Sequence, residues 1–75
     1  SYNSISWAAI VGFDIIEAES GNKIGRIASV DDTTLNILFC LEDGRLIPAS
    51  SDLITAIDQQ ARTIIMHLPT GLLDL

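Results

Sequence analysis

The chain has 75 residues, with ten acidic against four basic side chains, a formal net charge of −6 and 48% hydrophobic residues. That length holds one domain, and a domain of this size buries only about 60% of its unfolded surface, so most apolar residues are needed for the core and few remain to wall a catalytic cavity. Disorder is excluded by the apolar content, and the longest apolar run, Leu35 to Leu41, is broken at Asn36 and falls far short of the roughly 20 residues of a membrane span.

Taken in chain order, short apolar runs alternate with turn chemistry, the pattern of an all-β domain. The first strand is expected over Ala9 to Glu17, with Val11, Phe13 and Ile15 on one face and Gly12, Asp14 and Ile16 on the other. Glu19-Ser20-Gly21-Asn22 turns the chain into a second strand, Lys23 to Val30, in which Gly25 reads as a bulge or a close backbone approach. After the polar Asp31 to Thr34, a third strand is expected over Leu35 to Leu41, with Leu35, Ile37, Phe39 and Leu41 on one face. The Asp43-Gly44 pair signals a hairpin into Arg45 to Ile47, and Pro48 makes that strand an edge or an exit. Leu53 to Ile57 and Thr63 to Leu68 form a last pair across Asp58 to Ala61. No stretch carries a core helix; the tail after Pro69 is expected to form a short turn or helix. Six short strands at this spacing predict a small barrel or sandwich.

The strand faces carry a surplus of apolar residues. Leu38 and Cys40, Ile65, and Ile16 fall on faces that should be polar if only one side of the sheet is covered. Either they form an interaction surface, or an N-terminal segment with Tyr2, Ile5 and Trp7 folds back over one of them.

Residues for catalysis are few. Cys40 lies mid-strand between Phe39 and Leu41, where a thiol behaves as a small hydrophobe and no cationic neighbour activates it. His67 falls on the face opposite Ile64, Met66 and Leu68. One Cys and one His do not make a zinc ligand set, and Cys40 alone cannot form an internal disulfide. The carboxylate pairs Asp31-Asp32 and Glu42-Asp43 sit in turns without a calcium-loop pattern, and no phosphate-cradling glycine loop is present. These observations predict a binding module with no cofactor and no metal. The four cations, Lys23, Arg26, Arg45 and Arg62, are scattered in sequence and make nucleic acid a poor partner unless folding clusters them. The acidity serves either solubility or a basic protein partner.

One ordered set of residues resembles a known family. Trp7 with Ile10-Val11-Gly12, then Gly21-Asn22-Lys23-Ile24-Gly25, Leu46-Ile47-Pro48, Arg62-Thr63-Ile64 and the closing Leu68-Pro69-Thr70-Gly71-Leu72-Leu73-Asp74 resemble the C-terminal PRC-barrel domain of the RimM ribosome maturation factors. The resemblance implies a six-stranded PRC-type β-barrel over residues 9–75, with 1–8 as a linker from the preceding half of a longer protein. It also implies a non-catalytic, cytoplasmic factor that assists 16S rRNA processing and maturation of the 30S subunit head. The partners implied are ribosomal protein S19 and the 30S subunit, with 16S rRNA held mainly by a missing N-terminal domain and no membrane or small molecule involved. The alternative is a stand-alone PRC-barrel adaptor for protein–protein contacts. Residues expected at the partner surface are Trp7, Leu38, Cys40 and Ile65, with Trp7 serving as interface anchor or as a plug in the barrel mouth. Gly12, Gly25, Leu46, Ile47, Pro48, Pro69, Gly71 and Leu72 match the family pattern as structural positions.

Overall fold

The computed structural model describes residues 7–33 and 35–68. Six strands follow a short 3-10 helix, Trp7–Ile10: β1 Asp14–Glu17, β2 Lys23–Asp31, β3 Leu38–Leu41, β4 Leu46–Pro48, β5 Ile54–Asp58 and β6 Thr63–Met66. They form one sheet in the order β4-β3-β2-β1-β6-β5. All neighbours are antiparallel except β1 and β6, which run parallel in the middle of the sheet. The all-β reading and the six-strand count hold for the described residues. Residues 69–75, including Pro69, Gly71 and Leu72, and the segment with Tyr2 and Ile5 lie outside them.

β2 is the longest strand and joins two halves of the sheet. Its first part pairs with β1 and its last part with β3. Its register slips twice: Ile15 and Ile16 oppose Gly25 and Lys23, leaving Ile24 as the extra residue, and Leu41 and Cys40 oppose Ile27 and Ser29, leaving Ala28 extra. Each bulge bends the strand and increases its twist, which folds the two halves toward a shared interior. That interior holds Ile10, Phe13, Ile15, Ile27, Phe39, Leu41, Ile47, Ile54, Ile64, Met66 and Leu68, all buried.

The expected barrel is not closed by hydrogen bonds: β4 and β5 are the two ends of the sheet and do not pair. The reason lies at the end of β4. Pro48 has no N–H to extend the ladder. The next N–H, on Ala49, donates back to Ile37 O at 2.9 Å, and Ser50 O then accepts from Leu53 N and Ile54 N, turning the chain before β5 begins.

Two strands start three or more residues later than the sequence predicts, and β4 and β5 start one residue later. β1 begins at Asp14, not Ala9, because Trp7–Ile10 coils into the 3-10 turn and Gly12 takes φ 93°. Phe13 N donates to Ile10 O at 3.0 Å and Gly12 N to Ile27 O at 2.8 Å, so this segment satisfies its backbone without extending. β3 begins at Leu38, and Leu35, expected on the core face, is fully exposed. The β3–β4 hairpin forms where expected. Gly44 (φ 93°) fills the left-handed position that closes its three-residue loop, between Gly44 N to Leu41 O at 3.0 Å and Leu41 N to Arg45 O at 2.9 Å.

Candidate functional site

Alternation along the strands sorts the side chains into rows. Ile15, Ile64 and Ile57 line up in register and point inward with Gly25, as do Val30, Phe39 and Ile47 in the other half. The next rows point outward. In the first half Lys23, Ile16, Ile65 and Ala56 stand side by side. In the second, Ser29, Cys40 and Leu46 form one row and Asp31, Leu38 and Pro48 the other. Leu38, Cys40 and Ile65 therefore all lie on the outer surface, in partly covered positions, but on different halves of the sheet. Leu46 is the most open large apolar residue on a strand, 55% exposed, although Leu46-Ile47-Pro48 reads from sequence as a structural triplet; Ile47 between them is 1% exposed. The signal that locates Leu46 is its hairpin register with Cys40, which follows from the Gly44 loop.

Trp7 is half-buried and packs against the core, its ring 5.9 Å from that of Phe39 at 64°, an edge-to-face contact. Gly25 lies where a Cβ would meet Leu41 Cδ1 at 3.0 Å and Arg45 Nη2 at 3.6 Å.

Cys40 and His67 are not brought together. Cys40 faces outward on β3, while His67 follows β6 in the other half, exposed, with Nδ1 3.2 Å from Glu19 Oε1. No group of three metal-ligating side chains occurs among the described residues.

The charges are arranged unevenly. Asp14 Oδ1 accepts Arg26 Nε at 3.2 Å and lies 3.3 Å from Lys23 Nζ. Partial desolvation pushes the Asp14 carboxyl up, but the hydrogen bonds and charges of Arg26 and Lys23 together outweigh it and hold it below the ordinary value. Asp43 accepts Arg45 Nε at 2.8 Å and its backbone N at 3.0 Å, which lowers its pKa. The Arg45 guanidinium also donates to Ile24 O at 2.5 Å, tying the hairpin to β2. Arg62 stacks over Phe13, 5.6 Å from the ring centre. All four cations thus attach around β1, the first part of β2 and the β3–β4 hairpin. Among the described residues no cation pairs with Asp31, Asp32, Asp52 or Asp58, although Asp58 lies in the cation-bearing half, in register with Thr63 and Asp14. Asp31 instead accepts Thr33 Oγ1 at 2.7 Å and Thr33 N at 3.0 Å, and these bonds lower its pKa.

No helix of the described residues is long and apolar enough to cross a membrane. Comparison with known proteins gives a consistent result. The sequence profile of the RimM PRC barrel domain matches residues 7–72. The ribosome maturation factor RimM of Azobacteroides pseudotrichonymphae is 40% identical over 74 residues, covering 95% of this chain and 43% of that protein. That of Bacteroides fragilis is 40% identical over 74 residues, covering 95% and 41%, and that of Christiangramia forsetii 42% over 69 residues, covering 88% and 39%. The chain spans about two fifths of the length of these relatives. A crystal structure of the 16S ribosomal RNA processing protein RimM from Pseudomonas aeruginosa shares the fold, with a TM-score of 0.76 at 20% identity over 91% of this chain and 46% of that one. With its profile match across every described element, this chain belongs to the RimM PRC barrel domain family.

Proposed function

We propose that this domain is the protein-docking part of a cytoplasmic ribosome maturation factor. It works without catalysing a reaction, by holding a basic ribosomal protein, S19, during maturation of the 30S subunit head and 16S rRNA processing. The expected linker, residues 1–8, is shortened by the 3-10 helix that starts at Trp7; the segment before Trp7 links the domain to the remainder of a longer protein, which carries most of the RNA contact. Of the expected partner-facing residues, Leu38, Cys40 and Ile65 lie on its two outer faces and are the candidates for the contact, whereas Trp7 packs inward against Phe39.

One observation carries this reading. The few cations are engaged with Asp14, Asp43 and the Phe13 ring, while Asp31, Asp32, Asp52 and Asp58 have no cationic partner among the described residues. The uncompensated charge is therefore available to a partner, and it suits a basic protein. It opposes a phosphate backbone, whose binding draws its affinity from surplus cations.

Titration of the chain with purified S19, followed by calorimetry at several salt concentrations, tests the reading. Saturable binding that weakens as salt rises is expected. Absence of binding at low salt, or affinity indifferent to salt, would remove it.

A further inference from the structure

The two halves of the sheet each present an outward apolar row, but the rows differ in exposure and in charge. On the first half, Ile16 and Ile65 are partly covered, and the row begins at Lys23; the adjoining row holds Arg26 beside Asp14. Asp58 shares that adjoining row through Thr63, so two cations and two carboxylates cancel there and offer a basic partner no surplus negative charge. On the second half, Cys40 stands beside Leu46, and Leu38 stands between Asp31 and Pro48. Leu46 is 55% exposed on β4, an end strand of the sheet. Arg45, its neighbour, does not spoil the surface, because its guanidinium is drawn back onto Asp43 and Ile24 O. Next to Pro48 lies a groove of about 240 Å³ lined by Leu35, Asn36, Ile37, Pro48, Ala49 and Ser50.

From this asymmetry we infer that the basic protein partner docks on the outer face of β3 and β4, with Leu46 as the apolar anchor and Asp31 as the charged contact. The inference rests on the docking role proposed above and assigns it to one of two candidate faces. An exposed leucine flanked by half-buried Leu38, Cys40 and Pro48 gives an apolar centre from which water is readily displaced, and the acidic edge supplies orientation. The partner segment that fits is cationic with an apolar side chain for the groove. Ile65 and Trp7 then fall outside the contact: Ile65 lies on the Lys23 side, and Trp7 is committed to Phe39.

The sequence contains a single cysteine, and Cys40 lies on this face, so it serves as a built-in footprint. In the first arm, maleimide alkylation of Cys40 is followed by mass spectrometry with and without saturating S19. Slowing by several-fold is expected, and an unchanged rate overturns the inference. In the second arm, Leu46→Lys and Asp31→Asn are compared with Ile65→Thr for S19 affinity, each variant being checked by thermal melting. Leu46→Lys is expected to weaken binding by about tenfold or more. Asp31→Asn, which keeps an oxygen for Thr33, is expected to reduce the salt dependence, and Ile65→Thr to leave affinity unchanged. If the unaltered chain binds S19 but Leu46→Lys and Asp31→Asn bind it equally well, the face is wrong while the docking role stands. If the unaltered chain does not bind S19, both fall.

Discussion

Arg62 Nη2 lies 2.8 Å from where a Cβ on Gly12 would stand, and the same guanidinium covers the Phe13 ring. Both residues have left-handed backbones, Gly12 at φ 93° and Arg62 at φ 57°. The β5–β6 turn and the turn before β1 are also joined through their main chains, since Asp14 N donates to Arg62 O at 3.0 Å. Missing side-chain volume at Gly12 lets a cation from the far end of the sequence lie flat on the core's edge. Gly12→Ala adds a backbone penalty of about 1–2 kcal/mol and displaces Arg62 from the ring, where an exposed cation–π contact is worth about 0.5–1 kcal/mol. Urea denaturation of Gly12→Ala, Arg62→Ala and the double variant separates the two. The Arg62→Ala background removes the steric part, so the backbone cost alone remains there. A Gly12→Ala protein as stable as the parent would contradict this account.

Gly25 differs because its backbone is not left-handed and only space is at issue. Its Cβ would press on Leu41 Cδ1 at 3.0 Å, and Leu41 is 3% exposed. Overpacking of this kind costs about 1–3 kcal/mol. Leu41→Val frees room at the same point, so the Gly25→Ala/Leu41→Val pair should lose less stability than the two single changes added together. Strict additivity in a double-mutant cycle would show that the contact is not the source of the cost.

Phe39 is fully buried and joins β3 to Trp7. Phe39→Ala should cost about 3–5 kcal/mol, a large part of the roughly 4–11 kcal/mol expected of a domain this size. Trp7 is the only tryptophan, so its emission reports this contact directly. A red-shifted folded-state spectrum is expected in Phe39→Leu, which retains most of the volume but lacks the ring. An unaltered spectrum would place Trp7 away from Phe39 in solution.

Stability should fall on the acid side. Asp14, Glu17, Asp31 and Asp43 all have lowered pKa values. For Glu17 the main causes are the backbone N–H groups of Glu19 and Ser20, the latter donating to Oε1 at 3.0 Å. A carboxyl depressed in the folded state stabilises above its unfolded pKa, about 3.9 for Asp and 4.3 for Glu, and loses that contribution as pH falls through the lower folded value. The urea midpoint should therefore be flat from neutrality to about pH 5 and drop below about pH 4. Salt should shrink the part due to Asp14 and Asp43, which face cations at the surface, more than the part due to Glu17 and Asp31, which accept N–H and O–H groups. A midpoint independent of pH down to pH 3 would refute the assignment.

Much of this protein was legible in its sequence because the signals are local. A period of two in Phe39 and Leu41, or in Ile64, Met66 and Leu68, marks a strand and its buried face wherever that strand ends up. Asp43-Gly44 marks its own hairpin, since the loop needs a left-handed residue at Gly44. The outward placement of Leu38, Cys40, Ile65 and His67 followed from the same alternation. What pairs with what is a different matter, because strand order and register depend on contacts far apart in the chain. The parallel match of β1 with β6 has no local signature, nor does the failure of β4 and β5 to meet. Alternation misplaced Leu35 and the segment before Asp14, where backbone turns at 3-10 geometry and at Gly12 satisfied the main chain without extension. The distribution of charge shows the division most clearly. Sequence alone determined an acidic total of −6 and four scattered cations. Only the tertiary structure decided that Lys23, Arg26, Arg45 and Arg62 attach to one region and leave Asp31, Asp32, Asp52 and Asp58 without a cationic partner among the described residues, since Coulomb interactions follow distance in space and not separation along the chain.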